Sequence, residues 1–451
     1  MSARPPSVGA MTTAMLPADP GFDDVLTGFQ RAGRHRPDRV VVARSADDVR
    51  AAVVHAAAHR LPVAVQSGGH GQGRLLDGGV LISTRELTGV RVDPATRTAR
   101  LAAGASWQHV IDAAAEHGLA PLSGSAPGVG AVSYTLGGGV GLLARRHGFA
   151  ADHVRRIDLV TADGALREVT ASSDPELFTV LRGGGAGLGV VVAMEIDLVE
   201  VTTILGGGLH LDLRAAPDVL EGWRRWTTTV PEEMTSAVAM LVVPDLPVVP
   251  ADLRGRHVAQ VQLAWSGDPA EGRRVLAPLR RLGPVLRDTV REIPYTESAS
   301  VFDEPDRPHA YRSENRLLRE LDPAALAGIT RAAGPSAGTM CVVGIRHLGG
   351  ALARPPATPN VVGHRDAAYS LMVLSPIEDD LDAVVDLHRR LIAPFLPAAL
   401  GRSLNFSYGA LTPAEVREAF DPGVADRIAA VAAALDPAGL LRANQPMPRP
   451  A

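Results

Sequence analysis

The sequence predicts an α+β fold, and three observations favour that class. Residues 40–42 are apolar and β-branched, and Ser45 followed by Asp48 is typical of a capped helix start, so the chain begins as strand and helix. Asp163-Gly164 lies between two strand-like runs and is a strong hairpin signal, which predicts antiparallel pairing. After about residue 200 the glycine clusters stop, and long strand-like runs alternate with helical stretches, which indicates a second domain.

The order of elements divides the chain into segments. A predicted helix over 106–117 ends at Gly118, a suitable C-terminal cap, and Asp436-Pro437 stops the last helix. A length of 451 residues favours two or three structural units. The predicted division is a mobile tail at 1–20, a first domain at 21–200, a second at 201–404 and a closing segment at 405–451. Strands are predicted at 40–42, 63–65, 80–83, 90–92, 98–102, 157–161, 166–169, 237–243 and 257–265, and a further helix at 271–282.

Composition narrows the class of partner. The net charge is −4, so no basic field favours nucleic acid or an anionic membrane, and a small molecule is the expected partner. No apolar run is long enough to span a membrane and no secretion signal is recognisable, which predicts a cytoplasmic protein. Cys341 is alone in an apolar run, and no histidines have ligand spacing, so we expect no disulfide and no metal site. The excess of Ala, Arg, Pro and Gly indicates a GC-rich bacterial genome, and the oligomeric state is not predictable.

Three glycine-rich clusters carry the first chemical signal. Residues 66–73, Gln-Ser-Gly-Gly-His-Gly-Gln-Gly, directly follow a predicted buried strand, where glycines let backbone N–H groups close on an anion. A phosphate cradle and a plain tight turn are equally consistent with this segment alone. The other clusters, at 127–141 and 182–189, make turns alone a weak explanation. Neither has the strand–helix frame of a dinucleotide-binding fold, and no cluster has the Gly-Lys-Ser/Thr of a nucleotide-triphosphate loop.

The clusters together resemble the FAD-binding domain of the vanillyl-alcohol-oxidase, or PCMH-type, superfamily and specifically its berberine-bridge-enzyme-like branch. The resemblance rests on Ser-Gly-Gly-His at 67–70, Gly-Gly-Gly-Val-Gly at 137–141 with Arg-Arg-His-Gly at 145–148, and Arg-Gly-Gly-Gly at 182–185. Asn405-Phe406 and Asn444-Gln445 are similar to that family's closing segment. The resemblance implies a two-part FAD-binding domain formed by 21–200 and 405–451. It implies a substrate domain between them, with an antiparallel sheet covered by helices.

The resemblance also implies the cofactor and its contacts. FAD is expected, bonded covalently through its 8α-methyl group to His70. A second tether is not expected, because Ala126 stands where some relatives have cysteine. Val129 falls where relatives control oxygen access, and its small side chain favours an oxidase. The residues that the resemblance places at FAD are Ser67, Gly68, Gly69, His70, Gly71, Pro127, Val129, Gly130, Gly137, Gly138, Gly139, Gly141, His147, Asn405 and Asn444.

The implied reaction is removal of a hydride from a small organic substrate, such as a secondary metabolite, alcohol or sugar, with O2 as the final acceptor. Many relatives carry Tyr-x-Asn-Tyr in the closing segment, whereas this chain has Ser-Leu-Asn-Phe at 403–406, so the base is open. Tyr408 shares a face with Phe406 if the segment is extended, and Tyr369 lies on a predicted strand of the substrate sheet. Either phenol needs a cationic neighbour to act as a base. Arg365 is expected to hold nearby structure or an acidic substrate group.

Three other functions remain open from the sequence. The missing tyrosines are compatible with a flavin-dependent cyclase or oxygenase in natural-product tailoring. They are also compatible with a flavin-binding protein that has lost its activity. A reductase that uses NADPH has no residue in its favour.

Overall fold

The computed structural model describes residues 14–185, 187–378 and 380–447. Residues 1–13 of the expected tail lie outside this range. Ala14–Met15, which the sequence assigned to the tail, pair antiparallel with Val40 and Val41 as an edge strand. The described helices are α1 (Phe22–Leu26), α2 (Ala46–His59), α3 (Trp107–Ala115), α4 (Ala131–Leu136), α5 (Ala144–His147), α6 (Pro175–Leu181), α7 (Val219–Thr227), α8 (Pro269–Leu276), α9 (Pro323–Ala332), α10 (Leu381–Ile392), α11 (Pro413–Arg417) and α12 (Val424–Leu435).

The first sheet is mostly parallel and has the order β1-β2-β4-β3. The predicted capping box of α2 is confirmed, because the Ser45 hydroxyl accepts a hydrogen bond from the Asp48 N–H. The C-terminal segment returns to this sheet, where Val63 N–H donates to the Leu440 carbonyl at 2.8 Å. The strands are β1 (Ala14–Met15), β2 (Arg39–Val42), β3 (Val63–Gln66) and β4 (Val80–Ser83).

The second sheet is antiparallel and has the order β5-β6-β9-β7-β8. The predicted hairpin is confirmed, since β7 and β8 pair around a turn in which Gly164 has a φ of 77°. Helices α3, α4, α6 and α12 contribute buried side chains to the core beside this sheet. The strands are β5 (Val90–Asp93), β6 (Thr98–Ala102), β7 (Val154–Val160), β8 (Leu166–Val169) and β9 (Val190–Asp197).

The third sheet is antiparallel and larger, with the order β13-β10-β12-β11-β16-β17-β15-β18 and β14 paired to β10. Helices α7, α9 and α10 cover one face, and Trp223 and Trp226 of α7 are buried there. The α+β prediction is therefore confirmed. The strands are β10 (Thr203–Asp212), β11 (Met234–Val242), β12 (His257–Trp265), β13 (Val285–Asp288), β14 (Arg291–Pro294), β15 (Tyr311–Leu318), β16 (Val342–His347), β17 (Tyr369–Pro376) and β18 (Ala399–Gly401).

Buried arginines join the large sheet to the part of the chain before it. The Arg145 guanidinium donates to the carbonyls of Leu348 at 2.9 Å and Met234 at 2.7 Å. Arg365 pairs with Asp152 at 2.6 Å, and both side chains are largely buried. A buried ion pair holds its two elements in one geometry because separating the charges leaves each unpaired. Among the described helices, none is long and apolar enough to cross a membrane.

Candidate active site

A cavity of about 780 Å³ lies between the loops of the first two sheets and the face of the large sheet that the helices leave open. Alternation along β17 shows the division of faces. Tyr369, Leu371 and Val373 belong to the helix-side core, whereas Ser370 and Met372 line the cavity. The volume is in the range of sites for cofactors and other organic ligands.

The loop after β3 directs its carbonyl groups toward protein partners. The Gly68 carbonyl accepts from the Phe29 N–H at 3.0 Å, and the Gly69 carbonyl accepts from the Gln30 N–H at 3.0 Å. The His70 carbonyl accepts from the Tyr311 hydroxyl at 2.7 Å. Gly69 has a φ of 70°, and its Cβ position would lie 2.6 Å from Gly28 Cα, so the close approach of the two chains requires glycine.

The N–H groups of the same peptides are left for a ligand. In a trans peptide the N–H points opposite to the carbonyl, so the N–H groups of Gly69, His70 and Gly71 point away from the partners that hold the carbonyls. Within the described part of the chain, no group accepts a hydrogen bond from these three N–H groups. Their residues line the cavity. Successive unpaired N–H groups form an anion-binding concavity, so the cradle interpretation of this loop is favoured over the plain turn.

The His70 ring is fixed at the cavity wall. It stacks on the Phe29 ring with centroids 4.0 Å apart and an interplanar angle of 12°. Burial lowers the pKa of the His70 imidazole to about 4, although a hydrogen bond to the Gly128 backbone opposes this shift. The imidazole is therefore neutral at pH 7 and retains a nitrogen lone pair.

The closing segment completes the cradle. The Asn444 amide donates to the Gly71 carbonyl and accepts from the Gly73 N–H at 3.0 Å. The Asn405 amide donates to the Tyr134 carbonyl at 2.9 Å, and its Oδ1 fills the space beside Gly137. The third glycine cluster joins the second through the Gly185 N–H, which donates to the Leu136 carbonyl at 2.9 Å.

Three tyrosines line the cavity near this loop. Tyr408 packs edge-on against Tyr311 with centroids 5.1 Å apart. Burial raises the pKa of both phenols, so both are protonated at neutral pH. Tyr134 is partly buried, and its hydroxyl oxygen is buried without a hydrogen-bond partner among the described residues. Tyr311 and Tyr134 were not predicted as site residues, and no local motif in the sequence distinguishes them from core tyrosines.

Arg346 is the cavity-lining cation of the large sheet. It lies on β16 among apolar residues, and its guanidinium is over the Phe302 ring at 4.5 Å and the Phe406 ring at 5.0 Å. Its NH2 donates to the Ser125 hydroxyl at 3.1 Å. Sequence reasoning missed this residue, although an arginine in an apolar strand is a signal that could have identified it.

Comparison with known proteins shows which family has this arrangement. A family model described as an FAD binding domain matches residues 37–170. (R)-6-hydroxynicotine oxidase from Paenarthrobacter nicotinovorans is 29% identical over 447 residues, which cover 95% of each chain. The crystal structure of 6-hydroxy-D-nicotine oxidase from Arthrobacter nicotinovorans superposes with a TM-score of 0.82 at 23% identity, over 99% of this chain and 100% of that one. Physcomitrella patens BBE-like 1 superposes with a TM-score of 0.82 at 17% identity, over 96% of each chain.

The chain contains an FAD binding domain, and over nearly its full length it is similar to FAD-linked oxidoreductases. The resemblance noted in the sequence is thereby confirmed, together with FAD as the cofactor.

The residues of this FAD-linked oxidoreductase fit a bound FAD. The unpaired N–H groups after β3 suit a diphosphate, and Arg74 and Arg442 line the same cavity with positive charge. The cavity-lining members of the predicted set are Ser67, Gly68, Gly69, His70, Gly71, Val129, Gly130, Gly137, Asn405 and Asn444.

Five members of the predicted FAD set do not line the cavity, and direct contact is not supported for them. The Pro127 carbonyl accepts from the Gln108 N–H at 2.9 Å and belongs to the turn before α4. Behind the cavity, Gly138 packs against Val362, Gly139 against Tyr134, and Gly141 against the Ser123 carbonyl. The lack of a side chain at these three glycines permits this close packing. His147 ends α5, where burial lowers its pKa to about 4 and its carbonyl accepts from the His153 ring.

The structure places Tyr369, which was predicted as a catalytic residue, outside the cavity. Its hydroxyl hydrogen-bonds to the Thr227 hydroxyl at 2.7 Å, and its ring packs against Trp223 on the helix side of the large sheet. Tyr408 does line the cavity, but residues 404–406 form a short 3-10 helix, so the premise of an extended segment is wrong. Arg365 is engaged by Asp152 outside the cavity, so it does not hold an acidic substrate group.

Proposed function

We propose that this protein is an oxidase in which FAD, bonded covalently to His70, accepts a hydride from a small organic substrate and returns to its oxidised form with O2. The observation that carries the proposal is the shared cavity. The loop after β3, the His70 ring and the open face of the large sheet all line it. A substrate on that face would lie against the flavin end of a cofactor whose diphosphate occupies the cradle.

The environment of His70 supports the covalent bond. Stacking on Phe29 fixes the ring plane, and the low pKa keeps a nitrogen lone pair available at neutral pH. A bound FAD would present its 8α-methyl group to this nitrogen, and a bond between them would require O2 as the acceptor of the two hydrogens lost, one from the imidazole and one from the methyl group. The Tyr311 hydroxyl donates a hydrogen bond to the His70 carbonyl. The backbone of His70 is therefore held by Tyr311, and its ring is held by Phe29.

The relatives support an oxidase acting on a small molecule. The nicotine oxidase aligns over 95% of both chains, and a relative named xylooligosaccharide oxidase aligns over 45% of this chain. A relative named FAD-dependent monooxygenase is 36% identical but aligns over 39% of this chain. The full-length match therefore favours oxidation over oxygenation. A cytoplasmic location and a role in secondary metabolism remain predictions from the sequence.

Bound FAD supplies a hydride acceptor whose two electrons, with two protons, pass to O2 as hydrogen peroxide. The residues of the chain must orient the substrate and accept the proton that the substrate loses together with the hydride. Tyr408 is positioned for this because it lines the cavity beside Tyr311. Burial and the charge of Glu304 raise the pKa of Tyr408, whereas the charge of Arg346 lowers it, so a proton-accepting role would depend on Arg346 outweighing Glu304.

Replacement of Tyr408 with Phe is expected to lower kcat by about 100-fold while the FAD content stays unchanged, because the ring remains and only the hydroxyl is lost. The measurement is steady-state oxygen consumption with a small molecule that bleaches the flavin. Tyr369→Phe is the matched control: it removes a hydroxyl outside the cavity, so it should lower the melting temperature and leave kcat intact. Equal kcat values for Tyr408→Phe and the wild type would remove Tyr408 from the reaction.

Replacement of Val129 with Leu is expected to slow flavin reoxidation by about tenfold. The Val129 carbonyl is held by the Trp107 N–H at 3.0 Å, so a larger side chain must extend into the cavity. The measurement is stopped-flow mixing of dithionite-reduced protein with oxygenated buffer, with hydrogen peroxide quantified. Wild-type reoxidation no faster than that of free reduced flavin would contradict the oxidase proposal, and Val129→Ala should keep the fast rate.

A further inference from the structure

The open face of the large sheet has one polar row and a floor of small residues. Arg346 on β16 pairs with Ala237 on β11 and with Ser370 on β17 in the sheet register. In the next row, Gly344 pairs with Ala239 and Met372. The Cβ position of Gly344 has only the distal methyl and carbonyl of Met372 within 4 Å among the described residues, so this floor is open.

The positive charge of the half-buried Arg346 guanidinium has no carboxylate within hydrogen-bonding distance among the described residues. Its side chain is 16% exposed, and the nearest carboxylate oxygen, Glu304 Oε1, is 3.9 Å away, which is beyond hydrogen-bonding distance. Glu304 is partly exposed, and its carboxylate accepts from the Ser125 hydroxyl at 2.7 Å. Of the N–H donors of Arg346, one has a partner among the described residues, the Ser125 hydroxyl. A half-buried cation whose nearest carboxylate is beyond hydrogen-bonding distance can accept a further anionic partner.

The aromatic rings fix the guanidinium without using its N–H groups. Phe302 and Phe406 hold the guanidinium carbon at 4.5 and 5.0 Å from their ring centroids. Such contacts use the face of the guanidinium and leave its edge for hydrogen bonds in the plane. A planar carboxylate matches that edge with two parallel hydrogen bonds, which a carbonyl or hydroxyl cannot make.

The charges around the cavity agree with an anionic ligand in addition to FAD. Among the described lining residues, the arginines are Arg74, Arg307, Arg346 and Arg442, and the carboxylate is Glu304. The two negative charges of an FAD diphosphate leave the lining positive, with Arg346 at the sheet end.

We propose that the substrate carries a carboxylate that forms a bidentate pair with Arg346, and that its planar apolar body lies on the floor formed by Ala239 and Gly344. This inference rests on the proposed function, because it assigns the substrate class to the same cavity. The ion pair with Arg346 would fix the orientation of the substrate in the cavity. The small residues of the floor would leave space for its apolar body. A cationic amine substrate would instead have to pair with Glu304, which is the alternative that the experiment must separate.

The test uses purified holoprotein and three probes of one shape: benzoate, benzamide and benzylamine. Binding is measured by isothermal titration calorimetry, so turnover is not required. Benzoate is expected to bind at least tenfold more tightly than benzamide and benzylamine, because only the anion completes the pair with Arg346. Equal affinities for benzoate and benzamide, or preferred binding of benzylamine, would overturn the proposal without any variant.

Variants locate the benzoate site. Arg346→Gln should weaken benzoate binding at least tenfold and leave benzamide binding unchanged. The benzoate affinity of Arg346→Lys should lie between those of the wild type and Arg346→Gln, because lysine keeps the charge but lacks the two parallel N–H donors of the guanidinium. Arg287→Gln is the control, because Arg287 is paired with Asp252 on the surface. Gly344→Leu should block both probes by filling the floor. Benzoate binding unchanged in Arg346→Gln would overturn the assignment, whereas protein without flavin would contradict the proposed function and leave the probe preference measurable.

Discussion

All flavin is expected to leave the acid-precipitated pellet when His70 is replaced with Ala, whereas the wild-type pellet stays yellow. The physical reason is that acid denaturation destroys the cradle and the cavity, so only a covalent bond can retain the cofactor. The neutral, stacked imidazole of His70 is the group positioned to form that bond. The measurement is the absorbance of pellet and supernatant, with the mass of the flavin-bearing peptide.

His309→Ala is the matched control for this experiment. The His309 ring also lines the cavity and contacts Phe29 and Tyr311, so its loss disturbs the same aromatic group without removing the tether. Its pellet should remain yellow. Flavin in the wild-type supernatant would remove the covalent bond and leave the FAD-binding fold, and no flavin in any preparation would contradict the cofactor assignment.

Gly137→Ala is expected to destabilise the protein by about 1 kcal/mol and to lower its FAD content, because the added Cβ displaces the Asn405 side chain and breaks its hydrogen bond. The added Cβ would lie 1.9 Å from Asn405 Oδ1, closer than any nonbonded contact allows. Asn405 would have to leave its hydrogen bond to the Tyr134 carbonyl, which joins the closing segment to α4. The measurements are the urea midpoint and the flavin-to-protein ratio.

Gly328→Ala is the control, and it is expected to change the stability of the protein in the opposite direction. Gly328 lies within α9, and no atom lies within 4 Å of its Cβ position among the described residues. Alanine there should stabilise the protein by up to about 1 kcal/mol through helix propensity. A wild-type midpoint and flavin ratio in Gly137→Ala would show that the closing segment does not depend on this contact.

Local sequence was sufficient where the physics is local. Ser45 and Asp48 predicted the start of α2, and Asp163-Gly164 predicted the β7–β8 hairpin, since capping and turn formation involve residues a few positions apart. The glycine-rich segment at 66–73 was also recognisable as a candidate anion cradle, because such a cradle is formed by consecutive peptides.

Whether a candidate residue lines the cavity or packs away from it was decided by the tertiary structure. Tyr369 and Tyr408 were equivalent candidates in the sequence, yet one packs under a helix and the other lines the cavity. The same holds for the second glycine cluster, in which Gly137 lines the cavity and Gly139 packs behind it.

The sequence by itself indicated FAD binding and identified His70 as the candidate for a covalent bond, because the resemblance rests on contiguous motifs. Only the tertiary structure placed Arg346 of β16 beside Ser125 and Phe406, which are far from it in the chain. Substrate recognition depends on such long-range packing, in which strand register decides which side chains share a face. That register is set by the whole sheet, so no local pattern around Arg346 could indicate its partners.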